Sequence, residues 1–335
     1  MPLSMSTSLP RRNAIATALA LAAGCTYAQP SRRLEVAPWP VKTLRLMVGF
    51  PGGSSPDVMA RTLAVPLAQT LGQAVIIENK VGAGGNIATE AVARATDGHT
   101  LGLMVSGNLT IARMLNPQVG FDPQRDLLPI SLLGSAPLVL VVSGGNPAVS
   151  ASDFLAAARA SKAQWNYGTP GVGTVGHIGM ELLNSRIGMA AVHIPYPGVP
   201  QVLTAMLGGE IQLALVPPGM VAAHLKTGRL RAVAVTSATR SILAPDVPSL
   251  AEIGVPGINL EIWTALAAPR SMPVAIANRL SDWASDVART PEMRGKLFAQ
   301  GWKVEGSSAE GLAIRIQTDT ELLGGVIVAR NIKAQ

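Results

Sequence analysis

The groups able to do chemistry in this chain are neutral. Ser54, Ser55, Ser106, Asn108, Thr169 and Thr174 each lie in or beside a short loop rich in Gly, Ser and Thr. The loops span residues 51–57, 82–86, 106–108 and 168–177; each follows an apolar, strand-like stretch and runs into a helical pattern. Backbone N–H groups gather at such helix N-termini together with partial positive charge, so these loops hold anions without Lys or Arg. None of them carries a cysteine, an acid/base pair or a cluster of metal ligands. The chemistry implied is capture without turnover: an anionic group held by several charge-assisted hydrogen bonds, each worth about 1.5–3 kcal/mol.

Rival chemistries fare worse. Gly171-Val172-Gly173-Thr174-Val175-Gly176 has the G-x-G-x-x-G spacing of a dinucleotide fold, which also needs an acid at the end of the next strand. That strand ends His193-Ile194-Pro195-Tyr196 and the first acid after it is Glu210, so no nucleotide cofactor is expected. There is no phosphate loop of the G-x-x-x-x-G-K-[ST] type and no G-x-S-x-G elbow. His99, His177, His193 and His224 are too far apart in sequence for a zinc pair, so no metal is expected. His177, at the mouth of a Gly/Thr loop, either donates to the anion or holds the helix start locally. Asp57 is read as a helix N-cap, or else as a grip for an amino group. An exported α/β enzyme acting on a carboxylate would need a nucleophile or base that the chain does not offer.

The elements that must position these groups alternate strand, loop and helix, which is the mark of parallel sheets covered by helices. Strands are expected at 43–50, 73–78 and 99–105, and the pattern restarts with strands at 138–142, 164–167, 191–195, 211–216 and 230–236. Helices are expected from Asp57 to about Leu71, over 109–115 and, near the end, over 274–290, 292–300 and 309–329. The uncharged stretch from Leu127 to Ser152 is broken by Pro129, Gly134, Pro137, Gly144, Gly145 and Pro147, which argues against a membrane span. Two α/β lobes result: residues 41–138 with 256–335, and residues 139–255.

Apolar residues make up 48% of the 335 and charged residues 14%, a composition for a folded chain with much buried surface. Aromatics are 4% and the bases form no stripe, so no nucleic-acid partner is expected despite a net charge of +7. Arg11-Arg12, the short apolar run 14–24 and Thr26-Tyr27-Ala28 read as a signal peptide over residues 1–28. Ala22-Ala23-Gly24-Cys25 offers lipid attachment at Cys25 as the alternative processing. Either route puts the chain outside the cytoplasmic membrane, in the periplasm.

Phe50-Pro51-Gly52-Gly53-Ser54-Ser55-Pro56-Asp57 with Ala60-Arg61 resembles the opening loop of the Bug receptors, the solute-binding proteins of tripartite tricarboxylate transporters. The likeness runs on through Glu78-Asn79 with Gly82-Ala83-Gly84-Gly85, Asp97-Gly98-His99-Thr100-Leu101 and Phe121-Asp122-Pro123. It continues in Tyr167-Gly168 with Gly173-Thr174 and His177, His193-Ile194-Pro195-Tyr196, Gly228-Arg229-Leu230-Arg231, Trp263 and Ala268-Pro269. The resemblance implies a two-lobed periplasmic-binding-protein fold of type II, each lobe a mostly parallel sheet flanked by helices, closing as a monomer over a small organic carboxylate. It also implies large and small membrane transporter subunits as partners, or a membrane sensor. The ligand contacts expected are Ser54, Ser55, Ser106, Asn108, Thr169, Gly173 and Thr174, with His177 and Tyr196. Two departures stand out: Gly52-Gly53 sits one place earlier than usual, and Val216-Pro217-Pro218 replaces a frequent acid beside the cleft. An apolar wall there leaves an ammonium without a partner, so the expected ligand is a plain carboxylate with an apolar or aromatic body.

Overall fold

The computed structural model describes residues 38–146, 150–330 and Ile332; the leader and Cys25 lie outside them. The chain opens with β1 (Leu44–Val48), α1 (Ser55–Leu71), β2 (Val75–Asn79), α2 (Asn86–Ala93) and β3 (Thr100–Val105). Short helices α3 (Ser106–Thr110), α4 (Ala112–Leu115) and α5 (Pro123–Asp126) lead to β4 (Leu127–Pro137). Next come β5 (Val139–Ser143), α6 (Ala151–Ala160), β6 (Asn166–Thr169), α7 (Val175–Ile187), β7 (Val192–Pro195) and α8 (Val199–Leu207). They are followed by β8 (Leu213–Val216), α9 (Pro218–Lys226), β9 (Leu230–Val235) and β10 (Glu261–Pro269). The chain ends in α10 (Val274–Arg289), α11 (Pro291–Ala299), β11 (Lys303–Val304) and α12 (Ala309–Arg330). No helix among the described residues is long and apolar enough to cross a membrane.

Two sheets result, ordered β11-β4-β10-β3-β1-β2 and β7-β6-β8-β5-β9. In the first, β1 pairs parallel with β2 and β3, while β10 runs antiparallel to β3 and β4. In the second, β6 pairs parallel with β7 and β8, while β5 runs antiparallel to β8 and β9. The fold class is the expected two-sheet α/β arrangement; its antiparallel pairings involve β5, β10 and the two-residue β11, which runs antiparallel to β4, and the first two share one cause. β5 and β10 are each the strand that enters a sheet from the other one, and so arrives in the opposite direction.

Four expectations need correction. The stretch 127–137 is one long strand, not a broken run ahead of a strand at 138–142, and β10 was not anticipated at all. The register of β4 against β10 slips twice, leaving Leu133 and Ile130 as extra residues. Gly134 and Pro129 sit at those slips, where a strand tolerates a missing side chain or a missing donor. The helix expected over 109–115 is split into α3 and α4, with Ile111 (φ −112°, ψ 0°) as the break. Helix α1 starts two residues before Asp57 and runs through Pro66 to a left-handed Gly72 cap.

The chain passes between the sheets at Leu138 and again over residues 236–260, and one buried hydroxyl ties the two crossings together. Thr236 Oγ1 accepts from Leu138 N (2.8 Å) and donates to Leu260 O (2.6 Å); Thr236 N donates to Leu138 O (2.9 Å). Thr236→Val keeps the shape but strands a buried N–H and a buried carbonyl. A loss of about 1–3 kcal/mol in the free energy of urea unfolding is expected. Helix α12 joins the halves by packing: Leu312 lies with Trp263 and Leu132, whereas Leu323 and Ile327 lie with Ile178 and Leu183 of α7.

Candidate functional site

The first loop is braced by Asp57, whose buried carboxylate accepts from Gly53 N (2.9 Å), Asn79 Nδ2 (2.8 Å) and Arg61 Nε and Nη2 (3.0 Å each). Burial alone pushes this carboxyl up, but the bonds from Arg61, Gly53 and Asn79 outweigh it and hold the group below the usual range. The N-cap position belongs to Ser54, not Asp57. The carboxylate is committed to its own loop, so it is not a grip for an amino group either. Ser54 Oγ donates to Pro51 O at 2.7 Å, closing the turn that starts α1.

The remaining loops are braced from behind in the same way. Asn108 Nδ2 donates to Gly84 O (2.9 Å) and to Asn86 Oδ1 (2.8 Å), fixing the loop 82–86. Thr174 caps α7: its hydroxyl donates to Gly171 O (2.8 Å) and accepts from His177 N (3.4 Å). Thr169 Oγ1 bonds Gly171 O (3.2 Å) and His193 Nε2 (2.6 Å), and Gly173 N donates to His177 Nδ1 (3.4 Å). His177 stacks on His193 at 4.4 Å and His193 on Tyr167 at 5.0 Å; the Tyr167 hydroxyl bonds Glu181. Burial pushes both histidines down to about 4, with each other's charge a further burden on His193, so both are neutral at pH 7. Side-chain hydrogen bonds thus tie each of these loops to its neighbours.

Two cavities lie where the loops meet. The inner one, about 40 Å³, is bounded by Ser54, Ser55, Ser106 and Thr174 and by the first turns of α1 and α7. Phe50, Leu138, Val199, Leu215, Pro217 and Ile262 give it an apolar wall. The outer one, about 480 Å³, opens beside it and is lined by Asn86, Asn108, Asn116, Gly173 and Tyr196 among glycines and prolines. No charged side chain among the described residues lines either cavity. One polar atom stands out: Ser106 Oγ is fully buried and has no hydrogen-bond partner.

The nine expected contacts therefore divide. Ser54, Ser55, Ser106 and Thr174 surround the inner cavity, and Asn108, Gly173 and Tyr196 the outer one. Thr169 and His177 line neither; both brace the loop 169–174 from behind. Sequence reasoning placed Pro217 beside the cleft, but missed Phe50, Leu138, Val199, Leu215 and Ile262. Nothing in a strand's apolar pattern says which residue faces a cavity rather than the core.

Residues 59–332 match the sequence profile described as "Tripartite tricarboxylate transporter family receptor". The chain belongs to this family. Protein BugT of Bordetella pertussis is 34% identical over 265 residues, 78% of this chain and 81% of BugT. Among solved structures, R. palustris Rpa4515 with adipate has a TM-score of 0.85 and 28% identity, over 88% of this chain and 99% of that one. MatC from Rhodopseudomonas palustris with bound malate has a TM-score of 0.81 and 30% identity, over 86% and 100%. The periplasmic binding protein BugD has a TM-score of 0.84 and 26% identity, over 89% and 100%. As a member of the tricarboxylate receptor family, the chain is a solute-binding receptor of the Bug type. Its likenesses are binding proteins rather than enzymes.

Proposed function

We propose that this receptor is exported to the periplasm, captures a small organic carboxylate between its two α/β halves and delivers it to a tripartite tricarboxylate-type transporter. The observation that carries the reading is the convergence on one chamber of two long helix N-termini and the unpartnered Ser106 hydroxyl. A buried hydroxyl without a partner costs free energy that a ligand oxygen restores. The first-turn N–H groups of α7 add donors and partial positive charge for the same oxygen. Adipate and malate in the family's solved structures support a carboxylate as the ligand class. The apolar wall from Phe50 to Pro217, with no acid beside it, favours a plain carboxylate with an apolar body over an amino acid.

Ser106→Ala tests this reading with effects of opposite sign. Affinity for a carboxylate should fall about 10- to 100-fold, the loss of one charge-assisted bond of about 1.5–3 kcal/mol. The stability of the ligand-free protein should hold or rise, because an orphaned polar atom has gone. Native mass spectrometry of the freshly purified protein supplies the acid, and calorimetry reads the affinities. No co-purified acid, and no binding across a panel of mono- and dicarboxylates, would sink the proposal.

A further inference from the structure

The two sides of the site touch through glycine. A Cβ added to Gly107, in α3, would lie 2.5 Å from Gly173 O in the loop after β6. One on Gly84 would lie 2.8 Å from Val172 O, and one on Gly171 3.0 Å from Gly84 Cα. Gly198, ahead of α8, comes equally close: its Cβ would lie 2.7 Å from Pro51 Cδ. The first three are meetings of backbone with backbone, with no flexible side chain to give way. Ser106 and Thr174, which border the inner cavity, are the chain neighbours of Gly107 and Gly173.

We propose that Gly84 and Gly107, closing on residues 171–173, are a latch that holds the two halves together beside the inner chamber, and that the absence of side chains there permits the shut state. The inference rests on the inner chamber as the ligand site, but the latch is readable without any ligand. Gly107 is the informative position. Its backbone is ordinary and helical, whereas Gly84 (φ +62°), Gly171 (φ +121°) and Gly173 (φ +81°) need glycine for local reasons as well. Alanine at 107 favours α3 itself, since it forms helix better than glycine. Its one conflict is with Gly173 O across the seam.

The test is Gly107→Ala against Gly295→Ala, a helical glycine in α11 with open space around it. Spin labels on Ile87→Cys in α2 and Val192→Cys in β7, both exposed, report the separation of the halves in a Cys25→Ser background. In the ligand-free protein, Gly107→Ala should shift the label distances to longer values while Gly295→Ala leaves them alone. Unfolding midpoints should be unchanged or higher for both. Dissociation of adipate and malate, used as probes, should quicken at least tenfold for Gly107→Ala only. Unaltered distances would overturn the latch. So would a Gly107→Ala chain that fails to fold where Gly295→Ala folds, because the contact would then belong to a permanent core. Longer distances with neither probe bound by any variant would leave the latch standing and count against the carboxylate reading instead.

Discussion

Between pH 6.5 and pH 4 the ligand-free protein should lose stability steeply, by about 3 kcal/mol for each of His177 and His193. Both rings are buried, at 4% and 8% exposure, and both titrate near 4 in the folded protein against 6.5 in an unfolded chain. In that window the unfolded chain binds protons that the native state refuses, so stability rises with pH and is lost as pH falls. The cause is local. His177 accepts from Gly173 N at Nδ1, which a proton there would abolish, and His193 Nδ1 is buried with no acceptor to meet one. Glu181, the nearby acid, is already bonded to the Tyr167 hydroxyl, and burial, together with that bond, pushes the phenol up. The depressed carboxyls of Asp57, Asp97, Asp126, Glu78, Glu252 and Glu292 add a loss of the same sign that starts only near the acid end of this window, so its upper part belongs to the histidines. Urea unfolding at half-unit steps of pH reads the slope. His177→Asn combined with His193→Gln, which keep an acceptor and a hydrogen-bonding group in place, should flatten it between pH 6.5 and about 5. A wild-type profile already flat from 6.5 to 4 would refute the argument.

Asp319→Ala should cost about 3 kcal/mol of unfolding free energy. Asp319 Oδ2 accepts from the indole N–H of fully buried Trp263 at 2.6 Å and from Arg315 Nε at 3.0 Å; Arg315 also reaches Glu261 at 3.2 Å. Removing the carboxylate strands a buried donor on β10 and half-frees a guanidinium on α12, at the helix that packs against both halves. Asp319→Asn, which keeps an acceptor for the indole, should cost clearly less. Urea titration of the three proteins checks the order. Equal losses for Asn and Ala would mean that charge, rather than the Trp263 bond, dominates.

Which parts of this molecule could be read in advance depends on range. Loops 51–57 and 168–177 were legible because their glycines and hydroxyls answer a requirement met within a few residues: a turn, then a helix start. The site's hydroxyls were not separable in that way. Ser106 and Thr169 give the same local signal, a hydroxyl at the end of a strand ahead of a helix. Yet Thr169 is engaged by His193, 24 residues on, while Ser106 is left bare in the chamber. Asp57 was misjudged for a similar reason, since the Asn79 amide that helps claim its carboxylate comes from the next strand.

The amino-acid sequence by itself determined the α/β class, the placing of Gly/Ser/Thr loops at strand ends and the neutral character of those loops. Each follows from periodicity, turn chemistry or residue type, which act over less than a dozen positions. Only the tertiary structure decided that β10 and β4 interleave across bulges, which hydroxyl lacks a partner, and that glycines from distant loops meet at less than a side chain's width. Those outcomes depend on packing between segments far apart in the chain, and hydrogen-bond satisfaction is settled only once every neighbour is in place.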